Sequence, residues 1–201
     1  MQQPVTDSRY SWFRLVLTLL VAMVANAGMW AIIVIMPAVE AEFATTRADA
    51  ALPYTLTMIG FGLGNFIIGR AVDRFGVTLS LIFAALAIVA GLGLAILSHS
   101  IAMLSLAQLV VGFASAVGFG PLIADISHWF VRRRGIAVAL VASGNYLSGA
   151  IWPMVLAGIL HDSGWRAVYT VMAVVTFVCV IPLSIALRRQ VPEEARNAAQ
   201  L

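Results

Sequence analysis

Five stretches of this chain contain no Asp, Glu, Lys or Arg: residues 15–39, 50–69, 77–124, 135–160 and 167–187. They run 25, 20, 48, 26 and 21 residues. An α-helix needs about 20 apolar residues to cross a hydrocarbon layer of ~30 Å. The 48-residue run is too long for one crossing, and the polar Ser98-His99-Ser100 divides it. The count is therefore six transmembrane helices, over 15–38, 50–70, 77–97, 101–125, 135–160 and 167–187, in an all-α membrane protein. Residues 1–14 precede the bundle and 188–201 follow it. Barrel strands would alternate polar and apolar residues over about 10 positions, which these runs do not do. Helices also satisfy their own backbone hydrogen bonds, which lipid cannot.

Composition excludes the soluble alternatives. The chain is 62% hydrophobic and 10% charged, against roughly 45–50% and ~25% in a soluble domain. All twelve basic residues are Arg and the net charge is +3. They lie in short clusters between apolar runs, so nucleic acid is not an expected partner; the lipid bilayer is. The lone Cys179 sits inside an apolar run, which rules out a disulfide framework. The first run is too long for the ~7–15-residue core of a signal peptide and lacks its small-residue exit, so it reads as a retained span.

Arginine placement orients the bundle. Ten arginines (Arg9, Arg14, Arg70, Arg74, Arg132, Arg133, Arg134, Arg188, Arg189, Arg196) fall on one side and two (Arg47, Arg166) on the other. Basic residues gather in cytoplasmic loops, so both termini are expected inside the cell membrane, with outer loops at 38–49, 98–100 and 161–166. Trp12, Trp129 and Trp165 fall at the expected interfaces, where anchoring is the ordinary role of an indole.

Ionisable groups in the membrane interior cost at least ~2.5–3.5 kcal/mol, and this chain has almost none there. Asp125, near the inner end of the fourth helix, is expected to pair with Arg132, Arg133, Arg134 or Arg70. Asn26 and Asn145 lie near the midpoints of the first and fifth helices. A buried amide in lipid must find a partner, across helices or in a cavity. Trp30 shares the face of Asn26. Ser148 and Trp152 share that of Asn145, with Tyr146 beside it. Gln108, Gly112 and Ser115 form a stripe on the fourth helix. Glycines in the spans are expected to allow close helix packing, and Pro121 and Pro153 to permit kinks. No cluster of His, Cys or carboxylates has metal-ligand spacing, and no phosphate-binding loop or dinucleotide fingerprint is present. An enzyme, a cofactor and a metal site are not expected.

The loop after the second helix reads Gly69-Arg70-Ala71-Val72-Asp73-Arg74-Phe75-Gly76. It resembles the signature loop of the major facilitator superfamily, G-x-x-x-D-[RK]-x-G, although Val77 and Thr78 stand where the family's basic pair follows. Gly69 would permit a close helix contact, Asp73 would cap a helix N-terminus, and Arg70 and Arg74 would pair with acids on neighbouring helices. A second stretch, Trp129-Phe130-Val131-Arg132-Arg133-Arg134-Gly135-Ile136-Ala137-Val138-Ala139, continues through Gly144, Gly149 and Pro153 to Gly164-Trp165-Arg166. It resembles the W-F-x-x-R-R-G-x-A…G…G-W-R pattern of the monocarboxylate and oxalate/formate branch.

The resemblance implies the first half of a twelve-helix secondary transporter, built as an inverted three-plus-three repeat, with residues 188–201 opening the central linker. It implies alternating access for a small organic anion, a monocarboxylate or relative. Asn26, Trp30, Gln108, Asn145, Tyr146 and Trp152 would be cavity residues. Gly69, Arg70, Asp73, Arg74, Gly76, Asp125, Arg132, Arg133 and Arg134 would form the cytoplasmic gate. The missing partner would be a second six-helix half or another copy of this chain, so the chain alone is expected to be inactive. A non-transporting six-helix scaffold is the alternative.

Overall fold

The computed structural model describes residues 6–189, so the expected tail beyond 189, Arg196 included, lies outside the described residues. Among the described residues there are helices and no strands. The helices are α1 (Arg9–Ala25), α2 (Ala27–Glu42), α3 (Arg47–Ala50), α4 (Leu52–Phe75), α5 (Val77–Ile96), α6 (Ile101–Ser115), α7 (Gly120–Ser127), α8 (Arg134–Val175) and α9 (Ile181–Ala186). They join into five apolar stretches long enough to cross a membrane, the last being Arg134–Ala186 with 53 residues. At 1.5 Å per residue such a rod would be about 80 Å long. Gly164 folds it in two: with φ +79° and ψ 174° it leaves the helical region, in a conformation that a Cβ disfavours. The six expected spans are thus present, the fifth over residues 134–163 and the sixth over 165–186.

Each irregularity has a local cause. The first span breaks between α1 and α2 at Asn26, whose side-chain Nδ2 donates to Ala22 O at 2.8 Å; an Asn amide competes with the helix ladder in this way. The fourth span breaks between α6 and α7. There the chain tightens into a 3₁₀ turn over Ala116–Gly118, and Phe119 is non-helical. Pro121 follows in the first turn of α7, where its missing N–H costs nothing. The sixth span widens to a π turn over Thr176–Val180 just before Pro182, which cannot donate to the ladder. Gly76, at φ +82°, ends α4 and starts α5.

Close approaches set the pairing of the spans. The second and fourth cross so tightly that a Cβ on Gly60, Gly64 or Gly112 would overlap the backbone of Leu109, Phe113 or Thr57. The first and fifth meet where a Cβ on Gly144 would touch Leu19 and Ala22, and where Gly149 underlies the Trp30 ring. The third meets the fourth at Gly91 and Val111. The sixth meets the first through Arg14 and Leu187, and meets the third through Arg166 and Ile96. Exchanging spans 1–3 for 4–6 turns the second–fourth pair into the fifth–first pair. It also turns the third–fourth pair into the sixth–first pair and leaves the third–sixth pair unchanged. That exchange is the inverted repeat expected of this architecture. The two mid-span breaks obey it as well, and they touch: Asn26 Nδ2 lies 3.3 Å from Gly118 O.

Both described chain ends lie at one end of the bundle, since Arg14 donates to the carbonyls of Leu187 and Arg189. The second span is sparsely covered. Only 28% of its apolar window is buried, against 61% for the fourth.

Candidate functional site

The break in the first span determines what surrounds it. The last four carbonyls of a helix lack intrahelical partners. In α1 the Met23 carbonyl accepts from Ser148 Oγ (2.8 Å) and Trp152 Nε1 (3.0 Å) of the fifth span. Two turns further along the first span, Trp30 Nε1 donates to Asn145 Oδ1 at 3.4 Å. A polar seam thus joins the first and fifth spans midway along their length. Trp30 and Trp152 are half-buried at its edge. Asn145 is buried at 9% exposure, and its amide nitrogen has no hydrogen-bond partner among the described residues. The seam holds no ionisable group: it offers N–H donors and ring faces without a countercharge.

The other expected cavity residues are placed differently. Asn26 is fully buried and holds the two helix breaks together. Gln108 is fully buried too, and its Nε2 donates to Tyr169 Oη on the sixth span. Both lie inside the bundle because their helices are broken or crossed there. Tyr146 is 69% exposed, on the outward side of the fifth span.

The Arg-rich end carries a buried ion pair. Arg14, 2% exposed, donates from Nη2 (2.8 Å) and Nε (3.1 Å) to Asp125 Oδ2. Its Nη1 reaches Leu187 O and Arg189 O, both at 2.9 Å. Its guanidinium stacks 4.6 Å from the Trp129 ring centroid. One side chain thereby ties together the first, fourth and sixth spans. Asp125 is paired as expected, but with Arg14 and not with Arg70, Arg132, Arg133 or Arg134, because α1 starts directly beneath the end of α7.

The opposite end has a more open counterpart. Glu42, three residues past the first apolar run, accepts from Trp165 Nε1 (2.5 Å) and lies 2.7 Å from Arg166 Nη1. Arg166 also donates to Ile96 O and Ser98 O, both at 3.1 Å. The Trp165 hydrogen bond, then the bond and charge of Arg166, hold the Glu42 carboxyl below its ordinary pKa against a partial desolvation penalty. Trp129 and Trp165, expected as interfacial anchors, are instead packed into the protein at 0% and 4% exposure.

A family model described as Major Facilitator Superfamily matches residues 18–200. The chain belongs to the major facilitator superfamily. It is 30% identical over 136 residues to the MFS-type transporter pynF of Aspergillus niger, covering 67% of this chain and 31% of that one. It is 25% identical over 181 residues to the uncharacterized MFS-type transporter YcxA of Bacillus subtilis, covering 89% and 44%. Human monocarboxylate transporter 6 is 26% identical over 180 residues, covering 87% and 35%. The chain spans less than half the length of each of these relatives. As a member of this superfamily it is an integral, multi-pass membrane protein.

The superfamily's signature loop stands open on the described surface. Arg70 donates to Phe66 O (3.1 Å) and stacks on the Phe66 ring, and Arg74 lies over Phe75. Asp73 is exposed and makes no hydrogen bond or ion pair among the described residues. Nothing lies within 4 Å of a Cβ built on Gly69. The expected pairing of Arg70 and Arg74 with neighbouring acids, the expected helix cap by Asp73 and the expected close contact at Gly69 are therefore absent among the described residues; Asp125 is taken by Arg14. Arg132 contributes its backbone N–H to Asp7 Oδ2 at 3.0 Å, Arg133 stacks over Trp12, and Arg134 donates to Ser127 Oγ at 3.5 Å.

Residues the sequence reading passed over include Arg14, Glu42, Tyr169 and Asn65. Asn65 Oδ1 accepts from Gly120 N at 3.3 Å, at the break of the fourth span. The rule that singled out Asn26 and Asn145, a lone amide in a charge-free run, would have found Asn65. Nothing in the sequence distinguishes Arg14 from the other flanking arginines.

Proposed function

We propose that this chain forms one wall of a secondary transporter for a small organic anion of the monocarboxylate type. It works by alternating access together with a second six-helix half. The unpaired amide donor of Asn145, held by Trp30 at a 9%-exposed position midway along its span, carries this reading. Trp30, Asn145 and Trp152 form the solute-facing wall, with Tyr146 at its margin. The wall can hydrogen-bond a carboxylate but cannot neutralise it, so the countercharge comes from the opposite half. The Arg-rich end faces the cytoplasm. There Gly69, Arg70, Asp73, Arg74 and Gly76 form the part of the gate that engages the other half. Asp125, Arg132, Arg133 and Arg134 form the part closed within this one. The open state of the signature loop and the similarity to monocarboxylate transporter 6 support this division.

The test has two arms. Proteoliposomes holding the purified chain should show no counterflow of labelled short-chain monocarboxylates above empty liposomes. Joined to a second six-helix half, the chain should accumulate the label, and Asn145→Ala should raise KM about tenfold, the order of one lost hydrogen bond to a charged group. Counterflow by the chain alone, with Asn145→Cys crosslinking two copies, would instead establish a homodimeric carrier. Transport indifferent to Asn145→Ala removes the proposed wall.

A further inference from the structure

The Arg-rich end holds a cavity of about 390 Å³ lined by Asp7, Trp12, Arg132 and Arg133, on residues that the solute wall does not use. Arg132 and Arg133 are exposed, and neither meets a carboxylate side chain among the described ion pairs. The Arg133 guanidinium lies 5.9 Å from the Trp12 ring centroid. Trp12 in turn stands edge-on to the buried Phe130, at 5.1 Å and 79°, which fixes the indole as the cavity's apolar side. Asp7 is the opposing charge. Its Oδ2 is occupied by the backbone N–H groups of Val131 and Arg132, both at 3.0 Å, and its Oδ1 is buried. Two arginines against one carboxylate leave a net +1, which suits a monoanion better than a dianion.

Position identifies the source of that anion. Trp12 lies three residues before the first charge-free run and Arg133 two residues before the fifth. The cavity therefore sits at headgroup depth, where an amphipathic indole and basic side chains are favoured. We propose that this cavity binds the phosphodiester of an anionic phospholipid. Arg132 and Arg133 hold the phosphate, and Trp12 packs on the glycerol backbone where the acyl chains begin. The site is independent of the solute carried and requires no second half.

Dioctanoyl phosphatidylglycerol titrated into the purified chain in a non-ionic detergent, read by native mass spectrometry, tests this. Dioctanoyl phosphatidylcholine and inorganic phosphate are the comparison ligands. Phosphatidylglycerol should bind the wild type, and Arg132→Gln/Arg133→Gln should weaken it about thirtyfold, taking about 1 kcal/mol per arginine near a membrane surface and tenfold per 1.4 kcal/mol. Arg47→Gln, at the far end of the bundle, should leave it unchanged. If the double variant does not fold, Arg132→Gln alone should weaken binding about fivefold on the same scale. Equal affinity in wild type and Arg132→Gln refutes the site. Displacement of the lipid by an equal concentration of inorganic phosphate would make it a soluble-anion site and refute the lipid assignment.

Discussion

The Arg14–Asp125 pair gives the sharpest test of how the bundle is held. Arg14 is 2% exposed and Asp125 15%, so replacing Asp125 by Ala strands a buried guanidinium. Two of its five N–H donors lose their acceptor, while Nη1 keeps the carbonyls of Leu187 and Arg189 and the cation keeps the face of Trp129. Removing one partner of a buried pair costs about 3–5 kcal/mol. The surviving carbonyl and ring contacts place this site at the lower end, about 3 kcal/mol. For a chain of this size that corresponds to roughly 6–12 °C in Tm. The double variant Arg14→Met/Asp125→Leu removes both charges and fills the space with apolar atoms. It should recover half or more of the loss, because the pair bears a desolvation cost that the apolar replacement does not. Thermal unfolding of wild type, Arg14→Met, Asp125→Leu and the double variant in one detergent, followed by circular dichroism, closes the cycle. If the double variant loses the sum of the two single losses, the residues are not coupled and Arg14 is not the tie between the first, fourth and sixth spans.

Gly112→Ala should destabilise by about 1–3 kcal/mol or more, since its Cβ would overlap the Thr57 carbonyl. Gly62→Ala and Gly93→Ala, with nothing within 4 Å, should change Tm by less than about 2 °C, as substitutions without contacts do; equal losses at all three would refute the packing of the second span on the fourth. Glu42→Gln should cost only about 0–1 kcal/mol, because Glu42 and Arg166 are 39% and 38% exposed. With its carboxyl held below the ordinary 4.5, that contribution is complete above pH 4.5 and is lost as pH falls through the lowered value. A Tm difference between wild type and Glu42→Gln that grows on acidification would contradict the assignment. In a Cys179→Ser background, Arg47→Cys should react with a membrane-impermeant maleimide in intact cells and Arg132→Cys only after lysis. Labelling of both from the same side would overturn the orientation.

The all-helical membrane fold and the family were legible in the sequence because each rests on a one-dimensional quantity. A charge-free run either reaches bilayer length or does not, and the loops at 69–76 and 129–135 are contiguous words. The seam of Trp30, Asn145, Ser148 and Trp152 was half legible. Helical spacing grouped three of the four on the fifth span, but only folding showed that Ser148 and Trp152 meet the Met23 carbonyl, freed by the break at Asn26, and that Asn145 meets Trp30.

What remained hidden was choice among equals. The sequence offers Asp125 the arginines at 70, 132, 133 and 134, and the structure pairs it with Arg14 instead, 111 residues away, because helix crossings place the start of the first span under the end of the fourth. It offers three indoles at interfacial depth, and the structure buries Trp129 and Trp165 and leaves only Trp12 half-exposed. The sequence by itself determined that this chain is a multi-pass membrane protein of the major facilitator superfamily, since the hydrophobic effect acts on runs of residues whatever their neighbours. The tertiary structure alone decided which polar groups are spent holding helices together and which, like the Asn145 amide nitrogen, are left without a partner among the described residues, because hydrogen bonds and ion pairs act over about 3 Å and only packing brings their partners that close.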